Sequence, residues 1–169
     1  MKTARHVAAA AIVLAIGAGA YLSPRGADVR TTAPSVGYTL LDGTKSSTDQ
    51  LRGKVVLVNF WATSCAVCVH EMPRVVAMHE KFKARGYETL SVAMSYDPPA
   101  YVVNFAQTRR LPFSVAIDNT GSIARGFDNV KGTPTSFLIN KRGEIVKRLV
   151  GEPDFAALDR LVEILLAET

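Results

Sequence analysis

The sequence has only two cysteines among its 169 residues, Cys65 and Cys68, and no second Cys-x-x-Cys pair. The missing second pair excludes a four-thiolate zinc site. No internal repeat and no low-complexity segment is present, and together with 48% hydrophobic residues this predicts one ordinary globular domain plus an appendage.

The chain also lacks a strong charge bias outside its first residues. The formal net charge is +5, but Lys2, Arg5, Arg25 and Arg30 against Asp28 place +3 in the first 35 residues and leave +2 in the remainder. A basic groove with interleaved aromatic residues is not visible in the sequence. We therefore expect no nucleic-acid partner.

Residues 7–22 form an apolar run without a charged residue, preceded by the basic residues 1–6. The run is shorter than the ~20 residues that comfortably span a bilayer, which favours a signal peptide, and Ala18-Gly19-Ala20 is a possible cleavage site. The rival interpretation is an uncleaved inner-membrane anchor with its basic end in the cytoplasm. Either one predicts a periplasmic or extracytoplasmic domain, where disulfides persist.

These patterns divide the chain into an export signal or anchor at residues 1–22, a tether at 23–34 that contains Pro, Gly and Arg, and a folded domain at 35–169. Within the domain, apolar runs predict strands at 55–60, 89–95, 113–118, 135–139 and 145–150. Helical periodicity predicts helices at 69–85, 100–108, 122–127 and 154–167. Asp42-Gly43 predicts a hairpin with a type I′-compatible turn between strands at 38–41 and 45–48. The order predicts an α/β sheet that is covered on both faces.

The two cysteines lie where the first buried strand gives way to a helix. Their spacing allows a redox dithiol, half of a metal site that His70 and His79 would complete, or a local structural disulfide. A disulfide that closes so short a loop constrains the unfolded chain little. A helix N-terminus lowers the pKa of a cysteine, so the position favours the redox interpretation.

Cys65 and Cys68 then have different predicted roles in thiol-disulfide exchange. Cys65 lies at the exposed start of the helix, and its thiolate is the candidate nucleophile that attacks a partner disulfide. Cys68 lies one turn further in, so we expect it to be more buried and to resolve the mixed disulfide.

The motif Val58-Asn59-Phe60-Trp61-Ala62-Thr63-x-Cys65-x-x-Cys68, with Gly132-Thr133-Pro134-Thr135 some 64 positions beyond Cys68, resembles exported thioredoxin-fold proteins of the TlpA/ResA/CcmG group. The resemblance covers roughly residue 34 to the C-terminus. It implies a thioredoxin-like three-layer sandwich with a central mixed sheet, helices on both faces and an N-terminal β-hairpin extension. It also implies a cis proline at Pro134 that faces the disulfide, and no cofactor or metal beyond the redox-active Cys65–Cys68 disulfide.

Three residues of the motif region carry further information. Ser64 stands where these proteins usually have a second Trp, which removes an aromatic side chain beside the nucleophile. Asn59 stands where cytoplasmic thioredoxins have a buried Asp that assists proton transfer, so the chain lacks that base. Glu71 matches an acidic position of ResA-like proteins and is a candidate catalytic proton handler; the alternative is a solvated helix carboxylate.

Thr133, Pro134 and Trp61 are the candidate substrate-binding residues. Pro134 either simply begins a strand or forms a cis bond that leaves the backbone of Thr133 free to pair with an extended partner segment. Trp61 packs beside the site and shields the start of the helix, is an ordinary core aromatic residue, or does both. The segment 96–99 should lie on the same edge as the cysteines and border the partner surface.

The resemblance implies an exported thiol-disulfide oxidoreductase that acts mainly as a reductant in cytochrome c maturation or copper-centre assembly. Its partners would be protein disulfides of an apocytochrome c or a copper-site protein, and a membrane thiol donor would supply the electrons. Two alternatives remain: a copper metallochaperone that uses the cysteine pair, because thiolates suit Cu(I), and a general disulfide-forming oxidase.

Overall fold

A computed structural model describes residues 31–168, so the predicted leader and residues 23–30 of the tether lie outside the described residues. The strands are β1 (Thr31–Thr32), β2 (Gly37–Thr39), β3 (Lys45–Ser47), β4 (Val55–Trp61), β5 (Tyr87–Ala93), β6 (Ser114–Ile117), β7 (Thr135–Ile139) and β8 (Glu144–Val150). The α-helices are α1 (Ala66–Phe82), α2 (Pro99–Thr108), α3 (Ser122–Gly126) and α4 (Phe155–Ala167), with 3-10 turns at Thr48–Leu51 and Lys83–Arg85.

Six strands form one mixed sheet in the order β1-β8-β7-β4-β5-β6, and β2 and β3 form a separate hairpin. Strand β4 pairs in parallel with β5 and antiparallel with β7, and all seven of its residues are buried. Parallel neighbours need crossover connections, which α1 and α2 provide. The C-terminal ends of β4 and β5 and the start of β7 therefore meet at one edge of the sheet.

Apolar side chains pack on both faces of this sheet. On one face, α1, α2 and α4 bury residues such as Met72, Val102 and Leu158 against the odd-numbered side chains of β4. On the other face, α3 and the hairpin cover the even-numbered ones, with Phe60 and Phe127 at the centre. This arrangement confirms the predicted mixed sheet with helices on both faces and an N-terminal hairpin.

The hairpin turn differs from the predicted type I′ turn, which requires positive φ at both central residues. Gly43 has φ +86°, whereas Asp42 is not among the residues with positive φ. The Gly43 N–H donates to the Leu40 carbonyl at 2.9 Å, and the Asp42 carboxylate accepts from the Thr44 N–H at 2.9 Å. The type I′ assignment was wrong because the Asp42 side chain satisfies the turn locally while its backbone stays at negative φ.

The sheet begins earlier than the sequence pattern indicates. Thr31 and Thr32 lie within the predicted tether, but they form strand β1 and pair with Ile145 and Glu144 of β8. Both threonines are exposed, so no apolar alternation marks them as a strand. Over residues 31–168, every helix is too short or too polar to cross a membrane.

Candidate active site

The cysteine pair lies at the junction of β4 and α1, with Cys65 four residues beyond the end of β4 and Cys68 in the first turn of α1. Cys65 is the N-cap of α1, and its Sγ accepts the Cys68 N–H at 3.2 Å. The two cysteines are joined by a disulfide, with their Cα atoms 5.2 Å apart. Cys65 is partly exposed and Cys68 is fully buried, so a partner can reach only the first sulfur.

The segment before β7 lies beside this junction, because Thr135 pairs with Phe60 near the end of β4. The Thr133–Pro134 peptide bond is cis, as expected. The Pro134 carbonyl accepts the Gly151 N–H at 2.9 Å. Thr133 precedes the strand ladder, and within residues 31–168 neither its N–H nor its carbonyl has a hydrogen-bond partner. An extended segment of another chain could pair with these groups.

Trp61 is fully buried at the end of β4, where its ring centroid lies 4.9 Å from that of Phe105 on α2. Its carbonyl accepts the Met94 N–H at 3.0 Å. The side chain supports the loop that carries the cysteines, and in this arrangement it offers no exposed surface to a substrate. Trp61 is therefore a core aromatic residue that packs next to the site, and its role in substrate binding stays a prediction.

A buried carboxylate connects the loops after β4 and β5. Asp97 is 2% exposed and accepts the Thr63 N–H at 2.6 Å and the Thr63 hydroxyl at 2.5 Å. The neighbouring Tyr96 is 56% exposed, and its hydroxyl lies 3.3 Å from Oγ1 of Thr133. The sequence placed residues 96–99 at this edge from strand order, but no pattern in it indicated these two contacts.

Glu71 is 2% exposed, on the face of α1 that also carries Cys68 one turn earlier. A solvated helix carboxylate is therefore excluded. Asn59 of β4 donates from Nδ2 to Oε1 of Glu71 at 3.4 Å, and Oε2 has no hydrogen-bond partner within the described part of the chain. The Glu71 pKa is raised to about 7 in total: burial raises it most, the Asn59 hydrogen bond lowers it, and the Glu152 charge raises it.

The histidines proposed for a mixed Cys/His metal site are separated. His70 is exposed, whereas His79 is buried about three helical turns beyond Cys68, with Nδ1 3.3 Å from the Thr89 hydroxyl. His79 packs against the rings of Tyr87 and Phe113. Residues 31–168 contain no group of three or more His, Cys, Asp or Glu side chains that could hold a metal ion.

Comparison with known proteins identifies close relatives of this chain. The profile of the Redoxin family matches residues 28–162. The thiol-disulfide oxidoreductase ResA of a Bacillus cereus strain is 40% identical over 121 residues, which cover 71% of this chain and 68% of that protein. ResA of Geobacillus kaustophilus is 34% identical over 135 residues, which cover 80% and 76%.

A solved structure extends the likeness to the whole described fold. The crystal structure of a thiol:disulfide interchange protein of the thioredoxin family from Chlorobium tepidum TLS superposes with a TM-score of 0.75 at 30% identity, covering 84% of this chain and 100% of that one. The resemblance read from the cysteine and Thr-Pro motifs is thereby confirmed. The chain belongs to the Redoxin family and is a thiol-disulfide oxidoreductase with a thioredoxin fold.

Proposed function

We propose that this oxidoreductase is exported and acts mainly as a reductant of protein disulfides, in cytochrome c maturation or copper-centre assembly. The observation that carries the proposal is the asymmetry of the dithiol. Cys65 is accessible at a helix N-cap, whereas Cys68 is fully buried one turn before the buried Glu71. This arrangement suits attack on a partner by one sulfur and release of the partner by the other.

In the first step, the Cys65 thiolate attacks one sulfur of the partner disulfide. The partner S–S bond breaks, a mixed disulfide with Cys65 forms, and the second partner sulfur leaves as a thiolate that takes up a proton. The N–H groups at the start of α1 stabilise the attacking thiolate, because they favour negative charge and the Cys68 N–H donates to Sγ of Cys65.

In the second step, Cys68 attacks Sγ of Cys65. The mixed disulfide breaks, the Cys65–Cys68 disulfide forms, and the first partner sulfur leaves as a thiolate. The partner gains two electrons and two protons, and a membrane thiol donor then reduces the enzyme. Glu71 accepts the Cys68 proton. Its pKa of about 7 suits this role, because part of the side chain is ionised at neutral pH and the carboxylate binds a proton more strongly than an ordinary glutamate does.

The partner segment docks beside the disulfide along Thr133. The free N–H and carbonyl of Thr133 pair with an extended segment of the partner, and the exposed Tyr96 ring borders that segment. Ser64 is exposed and adds no aromatic surface on the cysteine side. We therefore expect Tyr96 to supply the apolar contact at this edge of the sheet. A partner segment with an apolar residue near its cysteine would pack against the Tyr96 ring.

The resolving variant Cys68→Ser tests this function directly. It should trap covalent partners through Cys65 when expressed in the native cell, and the trapped species should dissolve on reduction. The variant Cys65→Ser is the matched control and should trap far less, because Cys68 is fully buried. Equal trapping by both variants, or none by Cys68→Ser under conditions that preserve mixed disulfides, would contradict the proposal.

The identity of the trapped partner also tests the process. A partner with a haem-attachment cysteine pair supports cytochrome c maturation, and one with a copper-site cysteine pair supports copper-centre assembly. A reduction potential near the DsbA value of about −120 mV would instead favour a disulfide-forming oxidase. If the reduced protein binds Cu(I) in competition with a chelator and traps no partner, the metallochaperone alternative replaces the reductant.

The apolar residues 7–22 support the exported location, and fractionation tests it. Protein expressed from the full sequence should appear in the extracytoplasmic fraction after cleavage at residue 20, or remain with the inner membrane if the run is retained as an anchor. Recovery in the cytoplasm with reduced cysteines would contradict export.

A further inference from the structure

A row of polar residues crosses the three central strands beneath the cysteine pair. Asn59 of β4 lies opposite Ser136 of β7 on one side and opposite Ser91 of β5 on the other. Residues paired in this way point to the same face of a sheet. All three are buried, with exposed fractions of 1% for Asn59, 4% for Ser136 and 0% for Ser91.

The Asn59 amide connects two of these strands to helix α1. Its Nδ2 donates to Oγ of Ser136 at 3.0 Å and to Oε1 of Glu71 at 3.4 Å. An amide nitrogen has two hydrogens, so both are used, one for each acceptor. The contact with Ser136 fixes the direction of the amide, and the second hydrogen then points at the Glu71 carboxyl.

We infer that Asn59, held in place by Ser136, is a positioning residue that orients the Glu71 carboxyl and stabilises its ionised form. Ser136 lies two residues after Pro134, on the strand that begins at the proposed partner-docking segment. The Asn59 amide therefore connects β7, which follows the proposed docking segment at Thr133, to Glu71, the proposed proton acceptor. This inference rests on the proposed role of Glu71 in proton transfer.

Other groups act on the same carboxyl. On α1, the titratable Cys68 lies one turn before Glu71. From the turn after β8, the charge of Glu152 raises the Glu71 pKa, and burial raises it more. The Asn59 hydrogen bond works against both. Loss of the Asn59 donor should therefore raise the pKa, because a donor to a carboxylate favours the charged form.

The titration of Glu71 tests this inference in Asn59→Leu and Ser136→Ala. Carboxyl carbon NMR of the oxidised protein follows the Glu71 side chain directly. Asn59→Leu should move the midpoint upward by about one pH unit, and Ser136→Ala should move it in the same direction by less. The pH profile for reduction of a small aromatic disulfide by the dithiol should shift upward in the same order.

Ser91→Ala is the matched control. It removes one buried hydroxyl from the same row, as Ser136→Ala does, but Oγ of Ser91 has no hydrogen-bond partner within residues 31–168. It should leave both the Glu71 midpoint and the pH profile unchanged. If the role of Ser136 were purely structural, Ser136→Ala would lower the thermal stability, but its pH profile would match that of Ser91→Ala.

Three outcomes would overturn the inference: an unchanged Glu71 midpoint in Ser136→Ala, equal shifts in Ser136→Ala and Ser91→Ala, or a downward shift in Asn59→Leu. The serine variants decide the question if Asn59→Leu does not fold. Failure of the proposed role of Glu71 in proton transfer gives a different result. In that case Glu71→Gln reduces disulfides with the same pH profile as the wild-type protein, even if Asn59→Leu and Ser136→Ala shift the Glu71 midpoint as expected.

Discussion

Glu71 is a buried carboxyl group whose protonation changes near neutral pH, so it should affect stability as well as chemistry. Its pKa rises from 4.5 in the unfolded chain to about 7 in the folded protein. The folded state thus holds a proton that the unfolded state releases, and stability falls as pH rises from about 4.5 through 7. The Glu71→Gln variant removes this loss and should gain up to about 3 kcal/mol at pH 8.

Urea unfolding of the oxidised protein at pH 4.5 and pH 8 measures this gain. The two proteins should differ little at pH 4.5, where the wild-type carboxyl is neutral in the fold. The control Glu80→Gln changes an exposed carboxylate on the same helix, and it should alter the unfolding free energy little at either pH. A Glu71→Gln variant that is less stable at pH 8 than at pH 4.5, relative to wild type, would contradict the prediction.

The burial of Glu71 could have been predicted from helix periodicity, whereas its partner could not. Cys68, Glu71 and Val75 follow the same three-to-four-residue spacing that places Met78 and Phe82 in the core. The identity of the hydrogen-bond donor depends on which residue of β4 faces α1, and this requires the packed structure. For the same reason the sequence predicts a shielding Trp61 beside the site but not the contact of its ring with that of Phe105.

His79 should respond to acid in the opposite direction. Burial against Tyr87 and Phe113 lowers its pKa below the ordinary 6.5, despite opposing charges on Glu88 and Glu80. The unfolded chain then binds a proton first, so this contribution to stability is present above pH 6.5 and is lost as pH falls below it.

The variant His79→Phe replaces the imidazole with a phenyl ring that cannot take up a proton, so it should weaken the pH dependence of the unfolding free energy between pH 6.5 and 5. Urea unfolding across this range is the measurement. The control His70→Gln changes an exposed histidine on the same helix and should leave the slope as it is in the wild type. If His70→Gln flattened the slope and His79→Phe did not, the assignment would be wrong.

At the scale of elements, the loops after β4 and β5 are joined by two hydrogen bonds from Thr63 to the buried Asp97. The variant Asp97→Ala leaves the Thr63 N–H and hydroxyl without their acceptor. It should destabilise the protein by about 2–4 kcal/mol, because hydrogen bonds to charged groups contribute about 1.5–3 kcal/mol each and are not additive. Thr63→Val removes only the hydroxyl and should cost less.

A double-mutant cycle of these two substitutions, measured by urea unfolding, separates the pair from unrelated losses. We expect a coupling energy of about 1–2 kcal/mol between Thr63→Val and Asp97→Ala. The control cycle pairs Asp97→Ala with Thr44→Val on the distant, exposed hairpin turn and should be additive to within about 0.5 kcal/mol. Equal coupling in the two cycles would mean that Asp97 acts by general packing rather than by joining the loops.

The elements that carry the site are those that the sequence predicts best. The apolar run of β4 and the periodic stripe of α1 are local patterns, and both elements occur where expected, with α1 starting three residues earlier at Ala66. Strand β1 and the hairpin turn depend instead on tertiary pairing and on one side-chain contact of Asp42. Local pattern carries no information on either.

At the scale of the whole molecule, the redox state of the dithiol is coupled to the stability of the fold. The Cys65–Cys68 disulfide closes a loop of only four residues, so it restricts the unfolded chain less than a long loop would and should favour the oxidised fold by no more than about 2 kcal/mol. A Cys65 thiolate stabilised by the start of α1 opposes this by favouring the reduced fold. The balance of the two effects determines whether the protein is a reductant or an oxidant.

An oxidised fold that is more stable than the reduced one favours a reductant, and we expect this result. Paired urea unfolding of the oxidised and reduced protein at pH 7 should give the higher midpoint for the oxidised form. In the variant Cys65→Ser/Cys68→Ser, added reductant should not change the midpoint, so this variant controls for direct effects of the reductant. DsbA is a strong oxidant because its reduced form is stabilised, so a higher midpoint for the reduced protein would contradict the proposed direction of electron flow while leaving the oxidoreductase chemistry intact.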